Sequence, residues 1–369
     1  MPVKNIHGEP FSEETITKLE IFESYAGEWL PIFIMAGAKV LYIFDFFAGT
    51  GYDNIGVPGS PIRILTKIKK QIDLIFQKKT KVHFCVNEYD ANKFKLLQES
   101  CESFLAENPE IGRAGVELHY YNKDFVELYD QLEFCIGKYP SLVYLDQNGV
   151  KFTTDKYFLG ISQKPTTDFL YYISSSYVNR FGDTEEFKSV LKVDMDEVRK
   201  KPYKYIHQTV LEYLRARLPK ESHVRLYPFT IKKHSNYYGI IFGASNYRAL
   251  DKFLKTAWKV NGINGAANFD INDDASKSQG VLFGEQPLTK IQSFQKKLRE
   301  KILSGEIKTS LDAFKFTLDE GHLGNHAMVE IKKMKVEGLV SYDAKSPKVN
   351  YEAAIKNRDI ITYKITAKQ

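Results

Sequence analysis

VLYIFDFFAGTG, Val40 to Gly51, decides how the rest of the chain is read. Its first eight residues form an almost unbroken apolar run. A run that short, closed by glycines, is the pattern of a strand buried on both faces of a parallel sheet. Glycines directly after such a strand let the backbone pass close to a ligand, where a side chain would clash. Asp45 falls near the strand's end, where a carboxylate can receive a cation or a hydroxyl. Asp45, Gly49 and Gly51 are therefore expected to line a cofactor site.

The neighbouring segments support that reading. Upstream, Ile16, Leu19, Phe22, Ala26, Trp29 and Leu30 recur at helical spacing behind Ser12, which predicts a capped helix over 12–37. Downstream, a Gly/Pro-rich loop reaches Gly59. Ser60-Pro61 then opens a helix expected to run to about Lys78, with Ser as its cap. Strands are predicted at 82–88, 116–125 and 141–149, and a helix at 90–105. Residues 167–181 read as helix, or as a strand with a helical end. Residues 223–231 and 237–245 suit a hairpin, and a helix follows from Tyr247 to about Trp258. Strands alternating with helices imply an α/β fold with a mostly parallel, Rossmann-like sheet and an antiparallel C-terminal hairpin. The expected boundaries are 1–260 for this domain, 261–288 for a linker rich in Gly, Asn, Asp and Ser, and 289–369 for a second module.

In open α/β sheets, ligands bind outside the carboxyl ends of the strands. Four acids fall at such ends: Asp45, Glu88, Asp124 and Asp146. Glu88 is placed to hydrogen-bond ribose hydroxyls. Asp124 is placed to accept from an adenine amino group, with Phe125 against the ring. Asp146 is expected to be the catalytic or substrate-facing residue. Arg180, beside the hydroxyls of Ser174 to Ser176, is a candidate phosphate contact. Each has a structural alternative: an ordinary tight turn at the glycines, a solvated carboxylate at Glu88, a polar loop at 122–125, an Asx-turn at Asp146, an ion-paired helix end at Arg180.

Composition narrows the class. The apolar fraction is 43% and the charged fraction 27%, ordinary for a globular protein, so disorder is not expected. The longest greasy stretch, Trp29 to Gly49, is interrupted by Pro31, Lys39 and Asp45, so no membrane span is expected. No secretory signal is visible. Three cysteines with no close pair argue against a disulfide framework and for a reducing compartment, the cytoplasm. The eight histidines lack zinc-type spacing, and no metal is assigned from the sequence.

The net charge of +6 is unevenly spread. Residues 289–369 hold 16 Lys and Arg against 10 Asp and Glu, leaving 36 against 36 in the rest. Helices are predicted at 291–303, from Ser310 through Leu318, and at 326–337, followed by LVSY and IITYKI as a β wing. Three helices and a hairpin suit a winged helix. Its third helix carries Lys332, Lys333 and Lys335, which are candidate contacts to nucleic-acid phosphate or to a protein partner.

Several blocks together carry a more specific likeness. EWLPIF, FDFFAGTG with GVPGSP, YLDQNGVKF, DFLYYISSSYVNRF, AWKVNG and ANFDI follow one another in that order. In this the chain resembles the three-Cys-motif partner family (TcmP). The resemblance implies a bacterial protein with a class I methyltransferase-like fold and S-adenosylmethionine as its cofactor. It also implies a partner protein bearing a three-cysteine motif. Two departures stand out: the segment GYDNIGVPGSP separates the glycines from the helix, and Asp146-Gln147-Asn148-Gly149 stands where the family tends to show Asp-Pro-Phe-Gly. The expected function is a methyltransferase-like protein acting on nucleic acid or on a substrate presented by the partner. The alternative is a non-catalytic adaptor that keeps the fold as a scaffold.

Overall fold

The computed structural model describes residues 10–147, 151–190, 194–277 and 287–366. Two compact units result, one ending at Asn246 and the other beginning at Tyr247. The helix that starts at Tyr247 thus belongs to the second unit, and the division falls before it rather than after it.

The first unit runs α1 (Glu13–Met35), β1 (Val40–Asp45), α2 (Ser60–Lys69), α3 (Ile72–Lys78), β2 (Lys81–Asn87), α4 (Ala91–Glu107), α5 (Glu110–Arg113) and β3 (Val116–Tyr121). It continues through α6 (Phe125–Leu132), β4 (Ser141–Leu145), α7 (Asp155–Ser162), β5 (Thr167–Ser174), α8 (Ser175–Phe181), α9 (Glu185–Val190), α10 (Met195–Lys200), α11 (Ile206–Arg217), β6 (Arg225–Lys233) and β7 (Asn236–Ala244). The seven strands form one sheet in the order β3-β2-β1-β4-β5-β7-β6. β1 to β5 pair in parallel, and β7 runs antiparallel to both β5 and β6. The protein is therefore α/β with a mixed, mostly parallel sheet.

Strand alternation gives the sheet two distinct faces. On one, Phe44, Val143, Leu145, Phe169, Tyr171 and Ile173 pack with residues of α6, α7 and α11 in a large apolar core. On the other lies α1, whose Phe22 stacks on Tyr144 at 4.1 Å between ring centroids. Tyr25 of α1 donates to Asp168 at 2.6 Å on the same face. Ser12 caps α1 as expected, its hydroxyl accepting from the Thr15 amide.

Three expectations change in detail. The helix predicted from Ser60 to Lys78 is two helices, because the last carbonyls of α2 are taken by the short bond from Gln71 N to Ile68 O before α3 begins. Its cap position is Gly59, with Ser60 inside the helix. β3 stops at Tyr121 rather than at 125, because Asp124 turns the chain into α6. Residues 167–181 take the second of their two readings, a strand followed by a short helix.

The second unit holds α12 (Tyr247–Val260), α13 (Asp274–Lys277), α14 (Lys290–Leu303), α15 (Ser310–Asp319), α16 (Gly324–Val336) and a two-stranded antiparallel sheet of β8 (Val340–Ser341) and β9 (Lys364–Ile365). Both α14 and α15 begin with full capping boxes, at Thr289 and Thr309. Thr309 rather than Ser310 is the cap, and Leu323 rather than Asn325 precedes α16. Ala327, Ile331 and Met334 are fully buried, the face expected from their spacing. The described part of the stretch read as a linker is packed: Asn264, Ala267, Ile271 and Asp274 are all buried. No described helix is long and apolar enough to cross a membrane.

Candidate functional site

The chain adds β2 and β3 on one side of β1 and β4 and β5 on the other, so β1 and β4 meet at the sheet's switch point. Asp45 ends β1 beside Tyr144 of β4, and Asp146 follows β4 on the same face. Burial pushes the Asp45 carboxyl up to about 7; the nearby Ser60 hydroxyl and the Phe47 amide offset part of this, and the charges of Asp146 and Glu88 add to it. One Asp45 oxygen accepts from Phe47 N at 3.3 Å. The other is buried without a well-formed hydrogen bond, as is Gln147 Nε2. Unsatisfied buried polar atoms are costly, and this carboxylate oxygen is one of several among the described residues.

Gly49 and Gly51 both take positive φ, 68° and 89°. A Cβ on Gly51 would lie 2.6 Å from Ser100 Cβ. The segment after Gly51, which separates the glycines from the helix, is a closed excursion. Gly59 N donates to Gly51 O at 2.7 Å across its neck. Asp53 holds its interior, accepting from Ile55 N and Val57 N with one oxygen and from Phe11 N with the other. These amides outweigh burial and keep the Asp53 carboxyl below its ordinary range. The chain thus returns to Gly51 and starts α2 there, so the glycine turn and the helix start remain adjacent in space.

Glu88 lies just beyond β2. Its Oε1 accepts from Asp90 N at 2.9 Å, which leaves Oε2 for a ligand. Asn87 ties this end of the sheet together, donating to Phe46 O and Lys123 O and accepting from Lys123 N. Tyr89, which the sequence reading passed over, is 73% exposed beside Glu88.

Other expected contacts fall elsewhere. Asp124 is the cap of α6, its Oδ1 accepting from Val126 N at 2.8 Å. Phe125 is buried against Phe46, Phe47, Phe152 and Tyr157, so its ring serves the core. Ser174 caps α8 and Ser176 binds Tyr203 and Asn236, while Arg180 is exposed at the far end of that helix. Asn148 and Gly149 of the Asp-Gln-Asn-Gly segment lie outside the described residues.

Asp146 is not a free base. Both its oxygens accept from Lys18 Nζ, at 2.8 and 2.7 Å. Lys18 Nζ also sits 3.9 Å from the Tyr172 ring centroid. Tyr172 donates to Glu14 at 2.6 Å, and Glu14 pairs with Lys233 at 2.9 Å. Burial opposes ionisation of Glu14, but Tyr172, Lys233 and Lys18 hold its carboxyl below the ordinary value. This alternating chain, Asp146, Lys18, Glu14, Lys233, fixes α1 against the strands that follow the switch point. Only the fold reveals it: Lys18 and Asp146 are 128 positions apart.

In the second unit, Lys332 and Lys333 are exposed on α16, whereas Lys335 donates to Tyr342 O at 3.0 Å and lies over that ring. Much of the basic face of α14 is paired internally, Lys297 with Glu320, Arg299 with Glu330 and Glu337, Lys301 with Glu306.

The glycine turn makes a direct prediction. Gly51→Ala combines an unfavourable φ with a clash against Ser100, and should destabilise the unit by about 2–4 kcal/mol. Gly56 has a φ of 83° but nothing within 4 Å of its Cβ position. Gly56→Ala should cost only the conformational part, about 1–2 kcal/mol. Urea unfolding of the two variants compares them; equal losses would remove the close approach at Gly51.

The first unit is thus an α/β protein that gathers Asp45, Gly49, Gly51 and Glu88 near the switch point of its sheet. No protein-family model matches the chain, and no curated protein is significantly similar to it.

Proposed function

We propose that the first unit is a Rossmann-type, methyltransferase-like domain that binds S-adenosylmethionine at the carboxyl ends of β1, β2 and β4. The observation that carries this is the convergence of Asp45, the positive-φ pair Gly49 and Gly51, and Glu88 at one strand junction. The strand order, with β7 alone reversed, is the arrangement of the class I methyltransferase fold and supports the same conclusion. The fit is chemical as well. Asp45 Oδ2 is buried without a well-formed hydrogen bond, a polar atom that a ligand could meet.

When bound, the cofactor supplies an electrophilic methyl group. Gly49 and Gly51 would admit its backbone-facing side, and Glu88 Oε2 would accept from ribose hydroxyls. Tyr89 offers a ring to the base in place of the buried Phe125. Methyl transfer needs alignment more than a strong base. That Asp146 is neutralised by Lys18 is compatible with such a reaction; its part here is to hold α1 in position.

The methyl acceptor we favour is nucleic acid, or a substrate presented by a three-Cys-motif partner, in line with the sequence blocks that resemble the TcmP family. The second unit is read as a winged helix, on the support of three packed helices followed by a two-stranded antiparallel sheet. Lys332 and Lys333 would meet phosphate there, with binding that weakens steeply with salt. One observation favours the rival, a non-catalytic adaptor: the residue best placed to act as a base is committed to an ion pair.

Thermal denaturation with and without S-adenosylmethionine tests the proposal. Ligand at about 100 times its dissociation constant stabilises a one-site binder by about 2.7 kcal/mol. The wild type should gain this and Glu88→Ala should gain far less. An unchanged midpoint in the wild type would favour the adaptor.

A further inference from the structure

A second cluster of ligating groups lies on the opposite face of the sheet from Asp45 and Asp146. His83 and Glu117 face each other across β2 and β3, and His119 lies two residues beyond Glu117 on β3, the edge strand. Residues two apart on a strand share a face, so all three side chains rise from one surface. His83 Nδ1 is 2.9 Å from His119 Nε2 and 3.4 Å from Glu117 Oε2, and His119 Nε2 is 4.0 Å from that oxygen. A point equidistant from three atoms so spaced lies about 2.0 Å from each, which matches the ~2.0–2.2 Å of zinc to imidazole nitrogen or carboxylate oxygen.

We propose that His83 Nδ1, His119 Nε2 and Glu117 Oε2 form a binding site for a divalent transition-metal ion such as zinc. Two imidazoles and one carboxylate are a donor set suited to such ions and too nitrogen-rich for calcium or magnesium. The surroundings hold the donors in place. The Tyr42 ring stacks on His83 at 4.6 Å. Lys81 Nζ lies 3.7 Å from Glu117 Oε1, the oxygen that does not face the histidines. The side chains of His119 and Glu117 are 36% and 47% exposed, which leaves a fourth position open to water. Three protein ligands from two strands would clamp the edge strand β3 to β2. The alternative for the same atoms is a simple histidine–histidine hydrogen bond.

The site is independent of the proposed cofactor site, and its test needs no cofactor or activity. Zinc chloride is titrated calorimetrically into the full chain, and cobalt chloride is followed by its visible absorption. One ion per chain is expected, with a rise in the thermal midpoint that a chelator reverses. His119→Ala and Glu117→Gln, at partly exposed positions, should each weaken binding by about 100-fold or more while leaving the circular dichroism unchanged. Should His119→Ala fail to fold, Glu117→Gln decides alone. His326→Ala, in the second unit's histidine pair, should leave binding unchanged. The proposal is overturned if the wild type shows no saturable binding, or if the ion binds equally well to His119→Ala and Glu117→Gln.

Discussion

Asp45→Asn should flatten the stability of the first unit between about pH 4 and pH 7. Burial pushes the folded carboxyl up to about 7, and the Ser60 hydroxyl and the Phe47 amide offset only part of this. In the unfolded chain an aspartate titrates near ~3.9. The folded state therefore holds its proton over that window while the unfolded state has released it. Stability then falls as pH rises, from its full value below the unfolded pKa to its lowest above the folded one. Three pK units correspond to about 4 kcal/mol. Asparagine does not ionise and removes this residue's share of the slope, leaving that of Asp168. At pH 8 it should be the more stable protein by about 1–3 kcal/mol, once the cost of an unpaired amide is counted. Urea unfolding at pH 5 and pH 8 measures the difference. Asp168 gives an internal comparison: it is buried, pushed up to about 7 by that burial, and bonded to Tyr25 on the same face. Asp168→Asn should flatten the curve similarly without touching the proposed cofactor site.

The second large effect is expected at Lys18. Lys18→Met leaves Asp146 partly buried without its cation and removes the contact with Tyr172. Breaking a buried pair on one side costs about 3–5 kcal/mol; Asp146 retains some solvent, so about 3 kcal/mol is expected at pH 7. Asp146→Asn in the same chain removes the orphaned charge and should restore most of the loss. A double-mutant cycle by urea unfolding reads the coupling, expected at about 1.5–3 kcal/mol. Additive effects would mean that α1 is held by its apolar face alone, through Phe22 and Tyr25.

The centre of the sheet was legible from the sequence because its inner parallel strands are largely buried on both faces. VLYIFD, KVHFCVN and SLVYL are short apolar runs between turn signals, and that pattern survives in one dimension. The positions of Asp45, Gly49, Gly51 and Glu88 followed from the strand ends. What did not follow was the use each side chain makes of its neighbours. Asp124 and Phe125 stand at a strand end in sequence, but a short β3 lets one cap a helix and the other enter the core. Asp146 reads as a base because nothing local announces Lys18 on α1. The histidine cluster escaped the sequence for the same reason. Its two histidines are 36 positions apart, far from any zinc-type spacing. Glu117 and His119 are two apart on one strand, and that becomes a signal only once β3 is seen to lie beside His83. In the second unit the apolar spacing of Ala327, Ile331 and Met334 identified the buried face of α16 correctly, since helical period alone fixes it.

The most direct test of the proposed cofactor site is calorimetric titration of the full chain with S-adenosylmethionine at pH 7, repeated on Glu88→Ala. One site per chain in the wild type, with affinity reduced about 10-fold or more in the variant, is the predicted result, as expected for loss of a hydrogen-bonded carboxylate worth ~1.5–3 kcal/mol. No heat of binding to a folded wild type, or identical binding to Glu88→Ala, would contradict it.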